Sequence, residues 1–116
     1  MFVNLTNHPS LAWSDGQRQA ALQYGEILDL PFPVIDPASS TEEVKALADK
    51  TVDAIKQLDD SPVVHVMGEM TFTYAIVARL KALGITCVAS TTERDTVIAP
   101  DGRKISTFKF VRFREY

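Results

Sequence analysis

The 116-residue chain is poor in the side chains that most often bridge, ligate or attack: one cysteine, two histidines and one tryptophan. A single cysteine forms no internal disulfide, and Cys87 lies inside the apolar run Ile85-Thr86-Cys87-Val88-Ala89. That usage fits a reducing cytoplasm and a thiol acting as a small core residue. His8 and His65 share no metal-ligand spacing with Cys87, so no metal site is expected. No apolar run is long enough to span a membrane. The opening Met1-Phe2-Val3-Asn4-Leu5 has no basic residue ahead of it and is too short for a signal peptide. The expectation is a soluble, cytoplasmic protein without a membrane partner.

Two phosphate signatures are also missing. There is no G-x-x-x-x-G-K-[ST] and no G-x-G-x-x-G, which disfavours a mononucleotide triphosphatase and a dinucleotide-dependent dehydrogenase. Nothing implies another cofactor. Net charge is −3, unevenly spread. Residues 1–93 hold six Lys/Arg and twelve Asp/Glu, and residues 94–116 hold six and three, giving −6 and +3. A small basic end on an acidic chain argues against a duplex-DNA surface and leaves room for a compact anion.

What is present is an alternation of strand and helix patterns. Phe2 to Leu5 reads as a strand ending in Thr6-Asn7-His8-Pro9-Ser10. Ser14 with Gln17 has the form of a capping box and opens a helix that Gly25 closes. Glu26 to Leu30 is a short strand stopped by Pro31. Ser40 with Glu43 opens a second helix, with Val44, Leu47, Ala48, Thr51, Ile55 and Leu58 at helical spacing. Val63 to Met67 reads as a strand buried on both faces. Phe72, Ile76, Leu80 and Leu83 stripe a third helix, and Gly84 stops it. Ile85 to Ala89 is a fourth strand. Two β-rich runs flank Asp101-Gly102 as a hairpin, Thr96 to Ala99 and Ile105 to Tyr116.

The order β-α-β-α-β-α-β plus hairpin predicts one α/β domain over residues 1–116. The expected architecture is a Rossmann-like three-layer sandwich, mostly parallel, with a C-terminal β-hairpin. Ligands of such sheets bind beyond the carboxyl ends of the strands, where strand order reverses. With strand 1 beside strand 3, that edge collects Asn7, His8 and Ser10 with Gly68, Glu69, Met70 and Thr71. Ser90, Thr91, Thr92 and Arg94 arrive in a loop after the next strand. Backbone N–H groups after Gly68, with the hydroxyls of Thr71 and Thr73, form a candidate anion site. Arg94 supplies a planar donor fork suited to phosphate. His8 is a candidate phosphate donor or general acid/base, since its ordinary pKa is near neutrality. Glu69 reads either as a helix cap or as a group orienting a ribose hydroxyl or a partner arginine. His65, within an apolar strand, reads as a hydrogen-bonded core residue. Trp13 reads as a shield at the start of the first helix, with base stacking as the lesser alternative. The terminal strand places Phe108, Phe110 and Phe113 toward core or interface and Lys109, Arg112 and Arg114 toward solvent.

Three stretches carry a resemblance: the first strand into Asn7-His8-Pro9, "MGEMTFTYAIV" from Met67, and "STTER" from Ser90. They resemble the small stand-alone CRISPR-associated proteins of the Csx group, which are similar to the CRISPR-associated Rossmann fold. That resemblance implies a homodimer binding a cyclic oligoadenylate across its two-fold axis, most simply cyclic tetra-adenylate. It implies a ring nuclease that cuts without metal through ribose 2′-hydroxyl attack and switches off type III CRISPR signalling. By loop position, His8 would be the acid/base and Arg94 the charge stabiliser. Gly68 and Thr71 would cradle phosphate, and Thr91 and Thr92 would contact ribose or phosphate. No R-x-x-x-x-H motif is present, so a fused effector nuclease is not expected. Two other readings stay open: a non-catalytic sensor or sponge for the ring, and an unrelated Rossmann-like nucleotide-binding or assembly protein.

Overall fold

The computed structural model describes residues 1–116. Strand β1 (Phe2–Leu5) leads through a single helical turn at Ser10–Ala12 into helix α1 (Asp15–Leu22). Strand β2 (Ile27–Asp29), helix α2 (Thr41–Leu58), strand β3 (Val63–Val66) and helix α3 (Met70–Ala82) follow. The chain ends in β4 (Thr86–Ile98) and β5 (Lys104–Glu115). The five strands form one sheet in the order β2-β1-β3-β4-β5. The first four are parallel, and β5 pairs antiparallel with β4. The fold is α/β, with the expected neighbours β1 and β3 in contact.

Side-chain alternation along the strands divides the core in two. Val3, Leu5, Val64, Val66 and Cys87 pack against α2 and α3, whose buried faces include Val44, Ala48, Val52, Ile55, Phe72, Ile76 and Leu80. Each of the larger side chains among them, valine to phenylalanine, stabilises the fold by roughly 1.5–3 kcal/mol when fully buried. On the other face Phe2, Trp13, Ala21, Val88 and Phe113 form a smaller aromatic-rich cluster beneath α1. Asn4 and His65 point to this second face, because they alternate with Val3, Leu5, Val64 and Val66.

The caps hold the helices where the sequence places them. Ser40 and Glu43 form a full capping box on α2. Ser14 accepts from the N–H of Gln17, the one half of the α1 box that forms. Gly84 ends α3 at φ 74°, a conformation that strains residues bearing a Cβ.

Two expectations about the end of the chain are corrected. Ser90 to Arg94 is not a loop, and the fourth strand is not separate from the hairpin. Strand β4 runs unbroken through these residues, with a register shift between Thr91 and Thr92. Its partner β5 supplies the backbone hydrogen bonds that a polar stretch would otherwise seek in water. The threonines suit an extended backbone. The bulge adds bend and twist. The result is a long two-stranded ribbon projecting past the sheet. The radius of gyration is accordingly 16.0 Å, against about 13 Å for a compact chain of this length. No helix is long and apolar enough to cross a membrane.

Candidate functional site

A cavity of about 840 Å³ opens at the carboxyl ends of β1 and β3. Asn7 and His8 line it from the segment after β1, and Met67 and Gly68 from the segment after β3. Ser90 and Thr92 line it from β4, Trp13 and Gln17 from the α1 side, and Phe108, Lys109 and Phe110 from β5. The volume and the mixed aromatic and polar wall fall within the usual range of small-molecule sites. Lys109 is the single formally charged side chain of the lining. It pairs with Asp95 at 3.2 Å on an exposed face, a contact worth about 0–1 kcal/mol and easily exchanged for another anion.

Beneath the cavity lies a buried polar network absent from the sequence expectation. Asn4 and His65 are register partners on β1 and β3. Asn4 Nδ2 donates to the His8 carbonyl at 2.8 Å and to Asp29 Oδ1 at 2.9 Å. Asn4 Oδ1 accepts from Thr6 Oγ1 at 2.9 Å and lies 3.0 Å from His65 Nδ1. The Trp13 indole also donates to the His8 carbonyl, at 3.1 Å. The Thr6 hydroxyl lies 3.3 Å from the same carbonyl and accepts the His8 N–H at 3.1 Å, so three side chains hold the backbone of His8 while its ring is exposed on the cavity wall.

His65 is 2% exposed and edged by Phe113 at 5.1 Å and Trp13 at 5.7 Å, with Phe2 stacked at 6.0 Å. Burial pushes its pKa down to about 4, and the nearby His8 adds a smaller push in the same direction. The ring is neutral at physiological pH.

The profile of the Uncharacterized protein MJ1673 family matches residues 1–114, which span every helix and strand apart from the last residue of β5. The chain belongs to that family. No curated protein matches the chain.

The expected site residues of this family member separate into groups. Asn7, His8, Gly68, Ser90 and Thr92 come together in the cavity. Ser10 sits beside them but is engaged with Asp29 through its N–H, at 3.2 Å, and its hydroxyl, at 2.9 Å. Thr91 donates to the Arg112 carbonyl at 3.1 Å and lies outside the lining. Arg94 lies out on the ribbon, where its guanidinium donates to Ser106 Oγ at 3.2–3.3 Å. Continuity of β4 carries it away from His8.

The anion site expected at the start of α3 is already filled from within. The Glu69 carboxylate accepts from the N–H of Phe72 at 2.8 Å and from the N–H of Thr71 at 3.0 Å. The Thr71 hydroxyl donates to the same carboxylate at 2.7 Å. These donors, Phe72 first and then Thr71, hold the Glu69 pKa below the usual carboxylate value. Glu69 is thus a helix cap. Glu69, Met70 and Thr71 face a second cavity of about 790 Å³, between α2 and α3, rather than the first. Thr73 lines neither, and its buried Oγ1 has no partner.

Gly68 has a role of its own. Its φ is not positive, so backbone freedom is not the reason for glycine. An added Cβ would meet the Phe32 ring at 2.3–2.8 Å. The glycine makes room for Phe32, which packs edge-on against Phe72 at 5.2 Å.

Asn4 and Thr6 are not singled out by the sequence, and His65 is expected as a hydrogen-bonded core residue, which the structure shows, but not at the cavity wall. A usable signal existed: an asparagine inside the apolar strand Phe2–Leu5 must be hydrogen-bonded if buried, and His65 is the matching polar residue of β3.

Proposed function

We propose that the protein binds a cyclic oligoadenylate, cyclic tetra-adenylate in the first instance, in the 840 Å³ cavity and cleaves it, as a ring nuclease that switches off type III CRISPR signalling. The observation that carries this reading is the meeting of Asn7, His8, Gly68, Ser90 and Thr92 in one cavity with aromatic walls. Each of the three stretches that resemble the Csx group contributes to its lining, through Asn7 and His8, Met67 and Gly68, and Ser90 and Thr92. Phe108 and Phe110 offer flat apolar faces for bases, and the mostly buried Trp13 completes the aromatic wall. The five-stranded α/β sheet then belongs to the Rossmann-like type found in CRISPR-associated sensors.

The reaction needs alignment, a proton acceptor and stabilisation of phosphate charge. A ribose 2′-oxygen forms a bond to the adjacent phosphorus, and the bond from phosphorus to the 5′-oxygen breaks. The 2′-hydroxyl proton passes to His8, the departing 5′-oxygen takes a proton from solvent water, and His8 returns its proton to solvent to close the cycle. The products end in a 2′,3′-cyclic phosphate and a 5′-hydroxyl, and no metal enters. Lys109 supplies positive charge within one protomer. Arg94 contributes where a two-fold partner brings its ribbon across the cavity, which a homodimer allows.

A second reading is favoured by one observation: Lys109 alone gives the lining a formal charge. A site with so little phosphate stabilisation suits a sponge that holds the ring uncut. Trp13 is the single tryptophan and lines the cavity, so its fluorescence reports binding directly. Titration with cyclic tetra-adenylate should change it saturably, and product analysis of the same samples separates nuclease from sponge.

A further inference from the structure

His65 carries a buried atom that nothing in the protein satisfies. The Asn4 amide orientation is fixed because its Nδ2 faces two groups that only accept, the His8 carbonyl and the Asp29 carboxylate. Its Oδ1 therefore faces His65 Nδ1. An amide oxygen cannot donate, so the ring hydrogen of His65 resides on Nδ1. Nε2 is left as a bare lone pair. It is buried without a partner in a residue that lines the cavity. The nearest polar hydrogen of the surrounding rings, on Trp13 Nε1, is spent on the His8 carbonyl.

We propose that His65 Nε2 is a ligand-recognising acceptor at the floor of the cavity, taking a hydrogen bond from an uncharged N–H or O–H donor of the bound nucleotide. This deepens the oligoadenylate reading and rests on it. A buried acceptor without a donor is costly, and a ligand donor removes that cost on binding. A phosphate oxygen is excluded from this spot, since two lone pairs would face each other. An oligoadenylate carries two donors of the required kind, the exocyclic amine and the ribose hydroxyl. The rings packed around His65, Phe2 stacked on it and Trp13 and Phe113 edge-on, supply no free donor to this atom. With its pKa near 4, the ring binds without taking the proton. His65 thus selects and orients, and proton transfer stays with His8.

The test uses the full chain with ¹⁵N-labelled histidine, read by long-range ¹H–¹⁵N spectra, with Trp13 fluorescence as the independent report of binding. The probes are cyclic tetra-adenylate, its N6-dimethylated form and its 2′-O-methylated form. The expected result is an Nε2 without hydrogen in the free protein. Its resonance moves when the ring binds, and one of the two blocked rings leaves it in the free position, which names the donor. His65→Phe should weaken binding about tenfold, and His65→Gln, which keeps an acceptor, should recover most of that loss. The spectra decide the question if His65→Phe does not fold. A hydrogen on Nε2 in the free protein overturns the inference. So does binding reported by Trp13 with Nε2 unmoved, or a shift that survives both blocked rings; these outcomes leave the oligoadenylate reading standing. No response of Trp13 or of either histidine to any ring overturns both.

Discussion

The ring nitrogen Nδ1 of His65 stands 3.0 Å from the side-chain oxygen of Asn4, across neighbouring parallel strands. This contact ties β3 to β1 just beneath the cavity. Asn4 also holds the His8 carbonyl and the Asp29 carboxylate, and Asp29 holds Ser10. One asparagine thus connects β1, β2, β3 and the loop that presents His8.

His65 should give the protein an acid-sensitive stability. Its pKa is about 4 folded and 6.5 in the reference state. The unfolded chain therefore binds the proton first as pH falls. The stabilisation is whole above about pH 6.5 and drains away as pH drops toward 4, by roughly 3 kcal/mol in all. Urea denaturation across this range should show that slope, and His65→Phe should flatten it.

Gly68→Ala should destabilise the fold by about 1–3 kcal/mol through overpacking, because the new methyl meets the Phe32 ring. The effect should be non-additive with Phe32→Ala, since the two changes share one contact. A double-mutant cycle by denaturant titration measures the coupling.

Glu69→Ala should lower the melting temperature, because the Thr71 and Phe72 N–H groups lose their acceptor. It should leave ring binding nearly unchanged, because Glu69 faces the second cavity. Loss of the Trp13 fluorescence response in this variant would return Glu69 to the ligand site.

Cys87 should resist alkylation in the native state. It is 3% exposed, and burial raises its pKa to about 11, with Lys81 opposing weakly. Neutral thiols react slowly. Labelling with iodoacetamide should track global unfolding in denaturant.

The parallel core was readable from the sequence because strands and helices alternated with strong periodicity and well-formed caps. Asp101-Gly102 marked the hairpin turn correctly. Its length was not readable: Ser90-Thr91-Thr92-Glu93-Arg94 has the polarity of a turn, and what makes it strand is pairing with residues 108–113. Such pairing leaves no local signal. The loop His8 and Gly68 reached the cavity because β1 and β3 are neighbours, as expected. Arg94 did not, because a continuous strand moves a residue about 3.3 Å outward at each step. Glu69 could be read as cap or ligand contact from its position alone, and the capping bonds occupy it.

The most direct test of the central claim is incubation of the purified protein with cyclic tetra- and hexa-adenylate in EDTA, followed by chromatography and mass spectrometry. The account predicts linear fragments ending in 2′,3′-cyclic phosphate, and their loss in His8→Ala. Rings that stay intact, under conditions where Trp13 fluorescence shows them bound, would contradict cleavage and leave a sponge. Rings that neither bind nor break would contradict the oligoadenylate reading itself.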